Sequence, residues 1–323
     1  EVVAKPSNRV QARAVCKCCR RVPALMILSI KSRHIRFGLL VFILVLVYLH
    51  PLWMLLRFSL DPSEEQYSHI LLIPFVAVYL LYQGRKRIFS KGEYHPGWGI
   101  GLFLAGLAVV AIRLMIGESL GENDFLSLTI FSFFLFWLAS FLFCYGPRAL
   151  EKGAFPLLFL VLIVPIPDLL LSHTIRFLQY QSAEATAGFF TLTGTTVFRD
   201  GLTFYLPGVT IFIAEECSGI RSSLALFITG LLAGHFFLRT NSRKFLLALA
   251  IVPLAVLKNG IRIASLTLLS IYVDPGFLSG PLHHRGGFVF FGITLMVMAG
   301  ILWLLRKSED KKPAPAADSV TGA

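Results

Sequence analysis

The stretch FLLALAIVPLAVLKNGIRIASLTLLSIYV, from Phe245 to Val273, decides the fold class. It is apolar except for a short polar segment, Lys258-Asn259-Gly260-Ile261-Arg262. At about 1.5 Å per residue, a helix over this stretch exceeds the ~30 Å hydrocarbon layer of a bilayer. We therefore expect a membrane-spanning helix with Lys258 and Arg262, four residues apart, on one face.

The composition of the whole chain agrees with a membrane environment. Of the 323 residues, 56% are hydrophobic and 15% are charged, whereas soluble domains have about 45–50% and about 25%. Runs long and apolar enough to cross a bilayer predict an all-α polytopic membrane protein with about eight transmembrane helices. The predicted spans are Phe37–Phe58, Tyr67–Tyr82, Trp98–Ile116, Phe125–Tyr145, Phe155–Ile166, Ser218–Leu238, Phe245–Val273 and Gly287–Leu305.

Lysine and arginine cluster in alternate connectors between these spans. The segment before the first span and those after the second, fourth, sixth and eighth are basic. The connectors at 61–65 and 117–124 contain acidic residues and no Lys or Arg. The positive-inside rule therefore places both termini in the cytoplasm. This distribution also accounts for the net charge of +12. The sequence has no basic face interleaved with aromatic residues, so it does not favour nucleic-acid binding.

The predicted topology divides the chain into three parts. Residues 1–36 form a basic cytoplasmic segment, residues 37–305 a transmembrane domain, and residues 306–323 a disordered cytoplasmic tail rich in Pro and Ala. The Cys16-Lys17-Cys18-Cys19 cluster of the first part has no nearby His or second cysteine cluster to complete a zinc site. We therefore predict no metal or cofactor.

The segment from Asp168 to Glu216 lies outside the membrane in this topology. Its first part, about Leu169–Thr193, is predicted to be an interfacial helix. Asp200-Gly201 between β-formers then predicts a hairpin, and Pro207-Gly208 predicts a second turn before another strand-like run. A small extracytoplasmic helix and β-hairpin are therefore expected just before the sixth span.

Cys217 stands where this outer segment meets the sixth span, in the sequence AEECSGIRSS. We predict that Ser218 caps the following helix, and a thiol at a helix N-terminus is favoured as thiolate. Arg221 lies four residues on and adds positive charge on the same face, whereas Glu215 and Glu216 oppose that effect or orient a histidine. At this point both a nucleophile and an inert cysteine at a helix end remain open.

Further candidates stand at the same side of the predicted membrane. Charge within a spanning helix usually marks function, and Arg262 is too deep to reach the interface easily. For Lys258, function and a structural role both stay open. His283 and His284 lie in the last outer connector. A histidine near a cysteine can act as general acid and base, and a solvated histidine at the membrane interface is the alternative.

Three separated motifs resemble the exosortase/archaeosortase family of membrane transpeptidases. They are Glu215-x-Cys217-Ser218-Gly219-Ile220-Arg221-Ser222, Asn259-x-x-Arg262 and His283-x-x-x-Gly287. The resemblance covers about 37–305 and implies Cys217 as nucleophile, Arg262 as a catalytic arginine and His283 as the acid and base. The spacing to the final glycine selects His283 over its neighbour. Supporting roles are expected for Glu215, Ser218, Arg221, Asn259 and His284.

The resemblance implies a cysteine endopeptidase or transpeptidase at the outer face of the bacterial inner membrane. Its substrates would be exported proteins whose C-terminal sorting signal, PEP-CTERM-like, has a short motif, a spanning helix and a basic tail. Cleavage would proceed through a thioester, with transfer to a lipid or glycan amine or to water. We expect the hairpin over 196–214 to offer a strand edge for the substrate peptide.

Two other classes of function stay open from the residues alone. A polytopic transporter, or a component of exopolysaccharide export, would use Lys258 and Arg262 to bind an anion. A structural protein without chemistry would tolerate replacement of Cys217, Arg262 and His283. Replacement of Cys217 by serine separates the transporter, which should tolerate it, from the transpeptidase.

Overall fold

The computed structural model describes residues 24–61, 67–89, 96–278 and 287–310. Within these residues the fold is helical apart from one three-stranded sheet. They form two compact units. The first contains the residues up to Arg57 together with Leu71–Pro165, and the second contains Phe58–Ile70 and the residues from Ile166 onward. The single transmembrane domain expected over 37–305 stays a prediction.

The first unit is built around one helix that is buried on most of its surface. Its helices are α1 (Ala24–Val47), α2 (Leu49–Leu60, whose last turn belongs to the second unit), α3 (Leu72–Ile88), α4 (Pro96–Ile116), α5 (Glu122–Tyr145), α6 (Pro147–Lys152) and α7 (Ala154–Phe159). A 3-10 turn, Leu160–Ile163, follows α7. The central helix α5 is apolar all round, as expected of a helix with protein neighbours on several sides. Helix α5 has a buried serine, Ser132, whose hydroxyl forms a hydrogen bond with the hydroxyl of Tyr48 at 2.8 Å. This contact offsets the cost of burying a polar group.

The second unit contains every described candidate residue. Its elements are α8 (Asp168–Leu192), β1 (Phe198–Asp200), β2 (Thr203–Leu206), β3 (Val209–Phe212), a 3-10 helix (Glu215–Ser218), α9 (Ile220–Phe237), α10 (Asn241–Tyr272), a 3-10 turn (Pro275–Leu278) and α11 (Gly287–Asp310). Helix α10 packs against α8, α9 and α11. It therefore lies at the centre of this unit.

The three strands form an antiparallel sheet in the order β1-β2-β3, as the turn residues predicted. Asp200 pairs with Thr203, so Gly201 is the first residue of a two-residue turn. Its φ of +58° is the value that this position of a type II′ turn requires. The inner face of the sheet carries Phe204, which is fully buried against Phe190 of α8. The sheet is thereby fixed on the helix that precedes it.

Several described helices are long and apolar enough to cross a membrane. Five qualify alone, and up to seven if each of two helix pairs separated by a short break counts as one span. The five are Gly97–Ser119, Glu122–Tyr145, Glu215–Phe237, Asn241–Tyr272 and Gly287–Asp310; the pairs are Ser32–Val47 with Leu49–Leu60 and Ala154–Ile163 with Asp168–Leu192. The structure thus supports a polytopic helical membrane protein. The count of eight and the orientation with both termini inside stay predictions.

Some predicted boundaries are wrong. The first span is not one straight helix, because α1 and α2 meet at a 73° bend; Pro51 in the first turn of α2 has no N–H for a helical bond to the preceding turn. The second predicted span is shifted, since its helix α3 runs over Leu72–Ile88. The tail is helical as far as Asp310, so disorder from residue 306 is wrong for its first five positions.

Glu309 explains why the last helix continues. Its side chain is only 6% exposed and accepts hydrogen bonds from the backbone N–H groups of Arg239 and Thr240 at 3.0 and 2.8 Å. The Thr240 hydroxyl also donates to it, at 2.5 Å, and Arg243 forms an ion pair with it at 3.5 Å. A carboxylate at this point satisfies donors at the start of α10. The end of α11 is therefore attached to the junction between α9 and α10.

Candidate active site

Cys217 lies in the 3-10 helix Glu215–Ser218, immediately before a break in the helical backbone. The residue at the break is Gly219, whose φ of +74° lies in the left-handed region. Residues with a Cβ are strained there, whereas glycine is not. Helix α9 begins at the next residue. We call Cys217-Ser218-Gly219 the cysteine turn.

This geometry corrects two expectations about the residues around Cys217. Ser218 does not occupy the N-cap position, which is Gly219, but its hydroxyl still accepts a hydrogen bond from the N–H of Ile220, the first residue of α9, at 3.4 Å. Arg221 is exposed and does not share a continuous α-helix with Cys217, because the left-handed glycine separates them. The sequence rule that places residues four apart on one face applies only within a helix. The exposed Glu215 lies at the start of the 3-10 helix.

Asn259 of α10 binds the cysteine turn directly. Its side chain is 1% exposed, and its amide nitrogen donates to the carbonyl oxygen of Cys217 at 2.7 Å and to the hydroxyl of Ser182 at 3.0 Å. A Cβ built on Gly219 would lie 3.0 Å from the amide oxygen of Asn259. The turn therefore needs a glycine for two reasons, its backbone conformation and the close approach of this amide.

Helix α8 supports the same turn from the other side. Gln179 and Ser182 are both buried on one face of α8, and Gln179 donates to the carbonyl oxygen of Ile213 at 3.1 Å, just upstream of Cys217. The approach of α10 to α8 depends on small residues, because a Cβ on Gly260 would lie 2.5 Å from that of Ala185. Small residues at a helix interface let backbones approach closely.

Lys258 makes a second link between α10 and the turn. Lys258 is 5% exposed. Its ammonium group donates to the hydroxyl oxygen of Ser222 on α9. That hydroxyl donates in turn to the carbonyl oxygen of Gly219 at 3.0 Å. Adjacent residues of α10, Lys258 and Asn259, therefore reach the carbonyl groups at the two ends of the cysteine turn, one through a serine and one directly.

The structure brings three of the predicted residues together. Arg262, one turn beyond Lys258, interacts electrostatically with Cys217 and with Lys258. Glu216 also interacts electrostatically with the thiol. Cys217, Asn259 and Arg262 thus belong to one cluster, while His283 and His284 lie outside the described residues. Within the described ranges, no group of three His, Cys, Asp or Glu side chains is arranged to hold a metal ion.

Sequence reasoning assigned no role to Gln179, Ser182 or Ser222, although Ser222 is the last residue of the first motif. A signal for the first two was present, since Gln179, Ser182 and Thr186 repeat at the three- to four-residue spacing of one helix face. The contact of Ser222 with Lys258 had no such signal. It depends on the relative rotation of α9 and α10, which local spacing does not encode.

The fold and the cluster together define a class of protein: a multi-pass helical membrane protein with a cysteine in a short 3-10 helix beside a half-buried arginine. The comparison with protein families is more specific. Residues 60–300 match the family model described as transmembrane exosortase. Because the match covers well over half of the chain and includes Cys217, Arg262 and His283, the chain belongs to the transmembrane exosortase family. Curated proteins gave no match, and neither did solved structures.

Proposed function

We propose that this protein is a membrane-embedded cysteine endopeptidase and transpeptidase that cleaves C-terminal sorting signals of exported proteins. Membership of the exosortase family implies protease or transpeptidase activity in general. The observation that carries the more specific proposal is the cysteine turn, where Cys217 is bound by Asn259 and lies within the electrostatic influence of Arg262. A cysteine serving only to fill space needs neither a fixed carbonyl nor a neighbouring half-buried cation.

The proposed reaction has two acyl-transfer steps. The thiolate of Cys217 attacks the scissile carbonyl carbon, and the oxyanion that forms is stabilised by Arg262. The C–N bond breaks as His283 gives a proton to the leaving amine, which leaves a thioester on the sulfur. The acceptor then loses a proton to His283 and attacks the thioester, and the thiolate leaves. An amine acceptor gives transfer, and water gives hydrolysis.

The proposed substrate class is compatible with the topology predicted for the cluster. In the proposed topology, Cys217 lies at the outer face of the bacterial inner membrane, at the start of α9. A substrate whose own spanning helix anchors it in the same bilayer would place a motif just outside the membrane level with this thiol. A basic cytoplasmic tail would set the direction of that helix. Membership of the exosortase family implies a PEP-CTERM-like motif, and we propose proteins of this kind as substrates and a lipid amine, a glycan amine or water as the acceptor.

The role proposed for the small sheet is to dock the substrate. Strands β1 and β3 each pair on one side only, so both present backbone groups along an outer edge. An extended peptide adds to such an edge by main-chain hydrogen bonds. Replacing Thr210 of β3 by proline removes one N–H from that edge. The KM for a reporter substrate should therefore rise, while kcat should be unchanged. An unchanged KM would exclude β3 as the docking edge.

The central experiment compares reporter processing by Cys217→Ala with that by Cys144→Ala. Both variants remove a free cysteine, but Cys144 is a buried residue of α5 in the first unit. In cells that make equal amounts of each protein, Cys217→Ala should abolish cleavage of a reporter with a C-terminal sorting signal. Cys144→Ala should cleave normally. Normal cleavage by Cys217→Ala would refute the thiol mechanism. If Cys217→Ser were active while Cys217→Ala was inactive, the result would favour a role for Cys217 other than thioester formation.

A further inference from the structure

Lys258 is a buried charge for which the proposed mechanism has no use. It lies in the interior of α10, a helix long and apolar enough to span a membrane, and its side chain is 5% exposed. A lysine in such a place is costly unless its ammonium group has a partner. The partner in the structure is the hydroxyl oxygen of Ser222 on the neighbouring helix α9. This contact, rather than solvent, therefore fixes the end of the lysine side chain.

The serine transmits the contact to the cysteine turn. Its oxygen accepts from Lys258, and its proton is donated to the carbonyl oxygen of Gly219 at 3.0 Å. A hydroxyl that accepts from a cation is polarised and becomes a stronger donor. The adjacent Ser223 donates to the same carbonyl through its hydroxyl at 2.8 Å and its backbone N–H at 2.9 Å, but the lysine hydrogen bond goes to Ser222. Both serine hydroxyls therefore contact the Gly219 carbonyl, and only that of Ser222 connects it to Lys258.

We infer that Lys258 is a positioning residue, which acts through Ser222 on the Gly219 carbonyl to fix the direction of the Cys217 side chain. Asn259 fixes the carbonyl of Cys217, so α10 restrains the peptide group that precedes Ser218 and, through Ser222, the one that follows Gly219. With both carbonyl directions set, the peptide planes of the turn cannot rotate freely, and the Cα–Cβ bond of Cys217 keeps one orientation. The inference rests on the proposed function, in which the sulfur attacks a substrate carbonyl.

The test is a double-mutant comparison in the full-length protein reconstituted in lipid vesicles. Lys258→Met keeps the length and apolar stem of the side chain but removes the donor. We expect kcat for reporter cleavage to fall about tenfold or more with KM within about twofold, since small displacements of a reacting group cost up to ~100-fold. Lys258→Arg, which retains a cationic donor, should recover part of the lost rate. Loss of a purely structural residue would instead reduce the amount of folded protein.

The two serines supply the matched control. If Lys258 acts through Ser222, the double variant Lys258→Met/Ser222→Ala should be no slower than the slower single variant. Lys258→Met combined with Ser223→Ala should instead show the product of the separate effects, because independent changes are additive in free energy. Equal, multiplicative behaviour in both pairs would overturn the inference, as would an unchanged kcat in Lys258→Met.

A second readout separates this inference from the proposed function. In a background with the other cysteines replaced, the rate at which a small methanethiosulfonate modifies Cys217 does not depend on substrate. Lys258→Met should change that modification rate severalfold whether or not Cys217 is the nucleophile. Cleavage of the reporter by Cys217→Ala would refute the proposed function but not the positioning role of Lys258. An unchanged modification rate would refute the positioning role. Should Lys258→Met fail to fold, a larger effect of Ser222→Ala than of Ser223→Ala on the same rate supports the inference, and equal effects refute it.

Discussion

Replacing Gly219 by alanine tests whether the cysteine turn depends on a glycine for the reason the structure gives. Two costs add at this position. An alanine at φ +74° costs about 1–2 kcal/mol, and its Cβ would lie 3.0 Å from the amide oxygen of Asn259 and 3.1 Å from its amide carbon. Asn259 has no room to yield without lengthening its bonds to Cys217 and Ser182, each worth about 0.5–1.5 kcal/mol. The total is about 2–5 kcal/mol.

Gly194 provides the matched control for this substitution. Its φ of +68° imposes a similar backbone cost on alanine, but a Cβ there would meet nothing within 4 Å. We expect Gly194→Ala to lose only about 1–2 kcal/mol and to keep normal reporter cleavage. Gly219→Ala should lose more stability, and its cleavage rate should fall at least tenfold, because the carbonyl of Cys217 is displaced.

The measurement is reversible unfolding in mixed detergent micelles, followed by cleavage assays at equal amounts of folded protein. A third variant, Gly219→Ala/Asn259→Ala, removes the steric conflict, so its loss of stability should be smaller than the sum of the single losses. If Gly219→Ala and Gly194→Ala are equally destabilised and equally active, the reasoning is refuted. The contact with Asn259 would then have no energetic consequence.

Three further outcomes follow from the packing of the second unit. Glu309→Ala should lower the free energy of unfolding by about 2–3 kcal/mol, since a nearly buried carboxylate with several donors is lost. The control Asp310→Ala should change it by no more than about 0.5 kcal/mol in the same assay. Equal losses in the two variants would contradict the capping role of Glu309. Gly260→Ala should separate α8 from α10 and cost about 1–3 kcal/mol, whereas Gly188→Ala, with open space around it, should be neutral or stabilising by up to about 1 kcal/mol. Glu184→Gln, which breaks the exposed ion pair with Arg199, should change stability by less than about 1 kcal/mol, and a larger change would mean that this pair is energetically coupled to the sheet.

Local patterns in the sequence were sufficient for the helix and strands of the segment that precedes Cys217, whose location outside the membrane stays a prediction. The Asp200-Gly201 and Pro207-Gly208 pairs predicted two turns, and the structure has a two-residue turn at each point. The helix expected at about Leu169–Thr193 is present as α8. These features depend on the conformational preferences of a few adjacent residues, which is why the sequence alone predicts them.

The environment of Cys217 could be predicted only in part. The family resemblance placed Cys217, Asn259 and Arg262 in one site, and the structure brings them together. The N-cap position predicted for Ser218 was wrong by one residue, because the left-handed Gly219 interrupts the helix that spacing alone assumes, although the Ser218 hydroxyl still accepts from the first N–H of α9. The lysine contact was not predicted, because it depends on how α9 and α10 face each other across the unit rather than on any local spacing.

The attachment of Glu309 has a further consequence for the helix that carries it. Helix α11 has 24 residues, so at about 1.5 Å per residue it is ~36 Å long. It is bound at its C-terminal end to the junction of α9 and α10, and it begins at Gly287, four positions after His283 in the chain. A rotation of only about 5° around the attached end of a helix this long moves the other end by ~3 Å. Because α11 also packs against α9 and α10, such a rotation requires those contacts to yield, and the position of its first residue depends on that packing as well as on Glu309.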